Sequence, residues 1–466
     1  MKPLKPIMLV RPPLGILYER SFWDEMEAAG IDEVAIMWLA LLDETGPQDR
    51  PGRQQWPRAE DRHPRALQAV GGRPVSATAV GGFRPNKALY KGVELQPPEM
   101  PDHLADESKR LKAVLKEAKR RGFRLFVSND AGYFQSGTVG GAVRRAQVRP
   151  ITDPSNIEYL AARAKDTAAN FPEFEGILQD GPDFKWEIKP NHRDDIFLEE
   201  FDFPEYQKVA AEIGVTVERV VEGRDAFKRR LQSLSPAAVD DFLANRQGTF
   251  GSLDWWNEQP ATLAWMRFKA AAIERYLVAL RAALRDAVPG WKVYMSSRMP
   301  CIAPLTGHNL RRKQAYCDFQ MPKEYWWSAG VAGYRGTAMN WVQTLVDWNK
   351  GLTHEKASEW FSAAFDVPLP KDYPVRSYAS EATDLWFSTT VRDQTRKMIA
   401  AAGGPDRFVP WVGLEHFGSN WVTATELRRM FAEMQSQGAT RYAWYIYNSI
   451  LPDIWEVITS FSVVDG

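Results

Sequence analysis

The feature that most constrains this chain is a repeated unit, a helical pattern followed by a short apolar run ending in polar residues. Eight runs fit it: "IMLVRP", "EVAIMWL", "FRLFVSND", "EGILQD", "WKVYMSSR", "CDFQMPKEYWW", "RFVPWVGLEHFG" and "YAWYIYN". Each is of strand length, and a helix between successive strands is the crossover that parallel pairing requires. The helical patterns carry their own signals. "DESKRLKAVLKEAKRRG" sets Leu111, Val114, Leu115 and Ala118 on one face and stops at Gly122. "DPSNIEYLAARAKDTAANF" opens on an N-cap residue, and the segment from Ala261 aligns Leu263, Met266, Ala270, Ile273, Leu277, Leu280 and Leu284. Further helices are expected over 19–29 and 382–402. With no GxGxxG and no succession of hairpins, the pattern predicts an α/β protein with a (β/α)8 TIM barrel rather than a doubly wound sheet. The 466 residues suit a single barrel domain over 1–466, with long βα-loop insertions at about 43–101 and 182–260.

Charge and composition narrow the partners. Lys plus Arg (59) equals Asp plus Glu (59), so no overall field draws the chain to nucleic acid or to an anionic membrane. No apolar run reaches the roughly 18 residues of a membrane span. The apolar run near the start, Ile7 to Val10, is shorter than a secretory signal needs. Cys301 and Cys317 form no disulfide framework, which fits a reduced cytoplasmic protein. None of the six histidines forms HExxH or an HxH pair, so neither a metal nor a cofactor is expected. The 18 Trp, 15 Tyr and 23 Phe exceed what charge-driven recognition uses; most should be core, but they also suit a flat, weakly charged ligand such as a sugar.

In a barrel of this kind the reactive groups sit at the C-terminal ends of the strands, which turns scattered charges into a ring of neighbours. The third strand ends in Asn129-Asp130. The fourth ends in Gln179-Asp180, with Asp183 and Glu187 just beyond. The fifth brings Arg298, the sixth Lys323 and Glu324, the seventh Glu415 and His416, and the eighth Asn448. Glycoside hydrolysis needs two facing carboxyl groups, one protonated to donate to the leaving oxygen and one ionised to attack or to activate water. Asp180 and Glu415 are the best-placed pair because each closes an apolar strand; Asp183, Glu187 and Glu324 are the other candidates. Trp186, Trp326, Trp327, Trp421 and Trp444 crowd the same ends, where an indole can pack on the C–H face of a pyranose. Asp130, Arg298, Lys323, His416 and Asn448 would then bind its hydroxyls. Trp38 and Trp411, inside their strands, are expected to be core, and Asp318 to anchor a basic or hydroxyl side chain.

The segments "FEGILQDGPDFKWEI" and "PKEYWW…GYRGTAMNWV" resemble the fourth- and sixth-strand regions of uncharacterised glycosyl-hydrolase-like barrel proteins from environmental bacteria. The resemblance implies a (β/α)8 glycoside hydrolase acting on a carbohydrate, with Glu415 in the place of the nucleophile. The chain departs from barrel hydrolases with carboxylates on strands four and seven, which usually close strand four with Asn-Glu, whereas here Gln179-Asp180 stands. The acid then comes from Asp180, Asp183, Glu187 or a strand-six group, or Asp180 is itself the nucleophile and Glu324 the nearest acid; these alternatives stay open. Two rival readings are a Schiff-base lyase or aldolase using Lys323, and a non-catalytic carbohydrate-binding barrel.

Overall fold

The computed structural model describes residues 2–49, 53–57, 64–130, 150–184, 193–197, 199–245, 248–326, 333–367, 369, 384, 386–413 and 422–463. Eight strands form one sheet: β1 Lys5–Val10, β2 Glu33–Met37, β3 Arg124–Asp130, β4 Phe174–Asp180, β5 Lys292–Ser297, β6 Phe319–Pro322, β7 Trp411–Gly413 and β8 Arg441–Tyr445. Their order is β7-β8-β1-β2-β3-β4-β5-β6, and each neighbouring pair is parallel. Two isolated parallel bridges, Gln320 with Phe408 and Lys323 with Trp411, join the outer strands β6 and β7. The sheet is therefore a nearly closed (β/α)8 barrel, and all eight expected strands belong to it.

Alternation along each strand separates two hydrophobic cores, because successive side chains leave a strand on opposite faces. Ile7, Leu9, Ala35, Met37, Phe126, Leu178, Tyr294, Met321, Trp411, Ala443 and Tyr445 pack together inside the barrel. The residues between them, among them Met8, Val34, Val127, Ile177, Met295, Val412 and Trp444, pack outward against the helices. Burying each such Leu, Ile, Val, Met or Phe side chain stabilises the fold by roughly 1.5–3 kcal/mol.

Local signals in the sequence place the helix starts. Asp153 caps the helix Pro154–Asn170 by accepting from Ser155 N, and Thr423 and Glu426 close a capping box on Ala424–Ser436. Losing such a cap costs about 1 kcal/mol. The helix Ala105–Arg120 buries Leu111, Leu115 and Ala118 as its spacing predicts.

Three expectations need correction. The segment after β2 is not irregular: strands Ala40–Asp43, Arg53–Trp56 and Val75–Gly81 form a separate antiparallel sheet. Trp38 is not inside a strand, because β2 stops at Met37 and the chain turns through positive φ at Trp38 (64°) and Leu39 (33°). In the helix Pro260–Ala287 the buried face begins at Ala261, Thr262, Trp265, Phe268 and Lys269 rather than at Leu263 and Met266. Packing of the 182–260 insertion there decides the face, and that contact is not local in sequence. The insertion holds the helices Pro204–Glu212, Val217–Leu231, Pro236–Asn245 and Gly248–Asn257. Among the described residues no helix is long and apolar enough to cross a membrane.

Candidate active site

At the C-terminal ends of the strands the inward-facing positions change from apolar to polar. Asp180 ends β4, opposite Asp130 in the register with β3. Its Oδ1 receives the Lys323 ammonium at 2.6 Å and the Ser296 hydroxyl at 3.0 Å. That hydroxyl in turn accepts from Gly181 N at 2.8 Å, and Gly181 takes the positive φ (62°) that turns the chain off the strand. Three strands thus fix one carboxylate: β4 supplies it, β5 the hydroxyl and β6 the ammonium. The Asp180 side chain is still 18% exposed, against 8% for Lys323, so the carboxylate is the more open end of the pair.

Beside this pair stand two tyrosines. Tyr325 lies 6.0 Å from Tyr445, ring centre to ring centre. Burial first, and then the charges of Asp180 and Tyr445, push the Tyr325 hydroxyl well above its ordinary pKa, while Arg298 pulls the other way. Gly413, the last residue of β7, is required here. A Cβ at this position would stand 2.9 Å from the Tyr445 carbonyl oxygen and 3.1 Å from the Tyr325 ring. On the far side, Arg11 continues the inward parity of Ile7 and Leu9 and donates to the Tyr445 hydroxyl at 3.3 Å. Asn448 accepts from Arg11 N at 3.4 Å, so its amide braces the end of β1.

A second carboxylate lies behind the first. Asp183 Oδ1 stands 2.7 Å from His308 Nε2, and Oδ2 2.9 Å from Arg298 Nε. Burial by itself would raise the Asp183 pKa. The Arg298 guanidinium, the hydrogen bond and charge of His308, and Lys323 together outweigh it and hold the carboxyl well below the usual range. His308 is held below its ordinary value, first by burial and then by Lys313. Nε2 is the ring nitrogen that carries its proton toward Asp183. Lys313, buried and lowered by that burial to about 8, donates to the Ser296 carbonyl oxygen.

Glu324 is different again. Its residue is fully buried, neither carboxyl oxygen has a partner among the described residues, and burial raises its pKa well above the usual value. Burial thus favours its neutral form, but it lies on the outer side of β6, close enough to Tyr334 to raise that hydroxyl's pKa. Trp326 and Trp444, expected at the sugar site, also face outward. Trp326 stacks on Tyr334 at 4.6 Å, and Trp444 packs near Phe431 at 6.5 Å. Strand parity decides this, since each tryptophan alternates with an inward-facing tyrosine, Tyr325 or Tyr445.

The structure thus gathers Asp180, Asp183, Arg298 and Lys323, braces the rim with Asn448, and turns Glu324, Trp326 and Trp444 away. Glu187, Glu415, Trp186, Trp327, His416 and Trp421 lie outside the described residues, as does the side chain of Asp130. Sequence reasoning missed Arg11, Tyr325 and His308. Counting inward parity from Ile7 and Met321 would have found the first two; no local signal marks His308, which reaches Asp183 across 125 positions. Trp411 is core as expected, and Asp318 anchors Arg281 through two contacts of 2.9 and 3.0 Å. Among the described residues no cluster of three or more His, Cys, Asp or Glu side chains is placed to hold a metal ion.

No protein-family model matches the sequence, and no curated protein matches it. Solved structures similar to the chain are glycoside hydrolases with TIM-barrel-like folds. The PgaB (BpsB) glycoside hydrolase domain from Bordetella bronchiseptica is 13% identical, with a TM-score of 0.43 over 100% of both chains. A β-galactosidase from the psychrophilic Marinomonas ef1 is 10% identical, with a TM-score of 0.47 over 98% of this chain and 59% of its own. The catalytic domain of a β-amylase from Paenibacillus polymyxa is 10% identical, with a TM-score of 0.40 over 98% of each chain. At scores below 0.5 these likenesses carry no argument about chemistry. The barrel rests on its own strand order.

Proposed function

We propose that the chain is a glycoside hydrolase that cleaves an oligosaccharide or glycoside at the barrel mouth, with Asp180 as the ionised member of its carboxylate pair. One observation carries this reading: Asp180 closes β4 and is oriented by Lys323 and Ser296 from the next two strands, yet keeps an open face. A carboxylate so braced suits attack on, or activation of water toward, an anomeric carbon. Glu415, two residues past the end of β7 in the sequence, is the proposed acid partner, an exchange of the roles the resemblance implies, because Asp180 is paired with Lys323. The insertions at 43–101 and 182–260 serve as walls of the mouth within one catalytic domain.

The test is turnover of a panel of aryl glycosides by Asp180→Asn and Glu415→Gln, with folding checked by near-ultraviolet circular dichroism. Both variants are expected to lose about 10²–10⁴-fold in rate, the usual contribution of a positioned acid or base. Wild-type turnover in both would refute the pair.

A non-catalytic, sugar-binding barrel is the second reading. It is favoured by the fact that Asp180 and Asp183 are both in ion pairs, while Glu324, its neutral form favoured by burial, faces away. Sugar binding without turnover in the wild type would select it. The lyase reading is weaker, because Lys323 is engaged by Asp180 at 2.6 Å as an ion-pair partner. A Schiff-base adduct on Lys323 after borohydride treatment with a carbonyl substrate would restore it.

A further inference from the structure

Asp183 is the acidic group that the proposed chemistry leaves unused. Its side chain is 4% exposed, and its two oxygens face Arg298 and His308 at 2.9 and 2.7 Å. A carboxylate enclosed in this way has no open face for a sugar. Arg298 is better placed. It follows Tyr294 and Ser296 in inward parity, its charge acts on Tyr325 inside the barrel, and its side chain keeps 14% exposure. The guanidinium is planar, and Asp183 pairs with it by charge at Nε, where the flexible stem joins the fork, which limits where the terminal nitrogens can lie. His308, whose side chain is fully buried, in turn holds Asp183 in place.

We infer that Asp183 and His308 are a positioning pair that orients Arg298, and that Arg298 binds a pair of sugar hydroxyls at the barrel mouth. The inference rests on the glycoside hydrolase reading and assigns that site its substrate-orienting cation. Asp183 already balances the guanidinium charge, so neutral hydroxyls suit Arg298 better than a second carboxylate does. A group that binds ground state and transition state alike appears in KM and not in kcat.

Steady-state kinetics of the full chain on its best aryl glycoside test this. Asp183→Asn and Arg298→Lys are each expected to raise KM about ten-fold or more while kcat stays within about three-fold. Arg298→Lys keeps a cation opposite Asp183 and loses only the fork, so it remains informative if the Asn variant fails to fold. His308→Ala removes the hydrogen bond toward Asp183 and is expected to raise KM in the same direction; an unchanged KM there would overturn the pairing. A kcat loss in Asp183→Asn as large as that in Asp180→Asn would make Asp183 a reacting group and overturn the inference. An unchanged KM in Arg298→Lys would overturn it too. If the wild type binds methyl glycosides without turning over aryl glycosides, Kd from calorimetry replaces KM in the same comparison. A wild type that does neither removes the glycosidase reading and this assignment with it, an outcome distinct from any selective change in the variants.

Discussion

The two ends of the barrel both bury charge, but they treat it differently. At the floor, Glu33 opens β2 and receives Arg124 from the start of β3 and Arg441 from the start of β8. Arg124 also reaches Glu175 at 3.0 Å, and Arg441 reaches the Tyr294 hydroxyl at 3.1 Å across the barrel. Tyr294 stacks on Phe319 at 4.3 Å, and Arg441 covers that ring. None of these polar groups lacks a partner. At the mouth, Ser128 Oγ and His308 Nδ1 have none among the described residues. An unsatisfied buried polar atom costs about 1–3 kcal/mol, so these positions lower stability. The floor is built to hold, and the mouth carries the polar groups that chemistry can use.

This contrast can be broken at either end. The largest expected effect is on rate: Asp180→Asn should lower kcat/KM about 10²–10⁴-fold. At the floor, Glu33→Ala removes the carboxylate that Arg124 and Arg441 share, and leaves Arg124 only Glu175. It should cost about 3–5 kcal/mol in urea unfolding while folded molecules turn over at the wild-type rate. A floor variant that abolished turnover without loss of stability would end the division proposed here.

Two smaller effects sharpen it. Glu324→Met replaces a lone buried carboxyl and should raise stability by about 1–3 kcal/mol with kcat unchanged. The native state holds the Glu324 proton to a pH at which the unfolded chain has released it. Native Glu324 thus binds more protons above the ordinary carboxyl range, and its contribution falls as pH rises through that window. The variant should lack this decline.

Lys269 gives the opposite sign. It is fully buried over the Trp265 ring at 4.2 Å, and burial lowers its pKa to about 8. Between about pH 8 and 9 the unfolded chain binds the extra proton, so stability due to Lys269 should rise by about 1 kcal/mol. Above that range Cys317 and Cys301, raised by burial to about 11 and 12, push stability back down. Subtracting the pH–stability curve of Lys269→Met from that of the wild type isolates the lysine. A flat difference across this window would show that Lys269 is not the group titrating.

How much of this was legible in the chain depends on the range of the interaction. Strand existence was legible at all eight positions, because an apolar run of four to seven residues and the helix after it are local signals. The cap at Asp153 was legible for the same reason. The face of the helix Pro260–Ala287 was not, since an insertion packed against it replaces the expected stripe. The placement of Asp180 at the end of an apolar strand was legible, because that run is a local signal. The roles of Trp326 and Trp444 were misread because proximity to a strand end does not say on which side of the sheet a residue lies.

The sequence by itself determined the repeat, and with it the barrel and the end at which polar groups gather, because a period of two or 3.6 residues is written in neighbouring positions. Only the tertiary structure decided which carboxyl does what. Asp180 meets Lys323, Asp183 meets Arg298 and His308, and Glu324 meets no charge at all. Three acids of similar intrinsic strength become an open carboxylate, an enclosed anchor and a buried group whose neutral form is favoured because their partners come from other strands and loops, more than 100 positions away for Asp180 and Asp183.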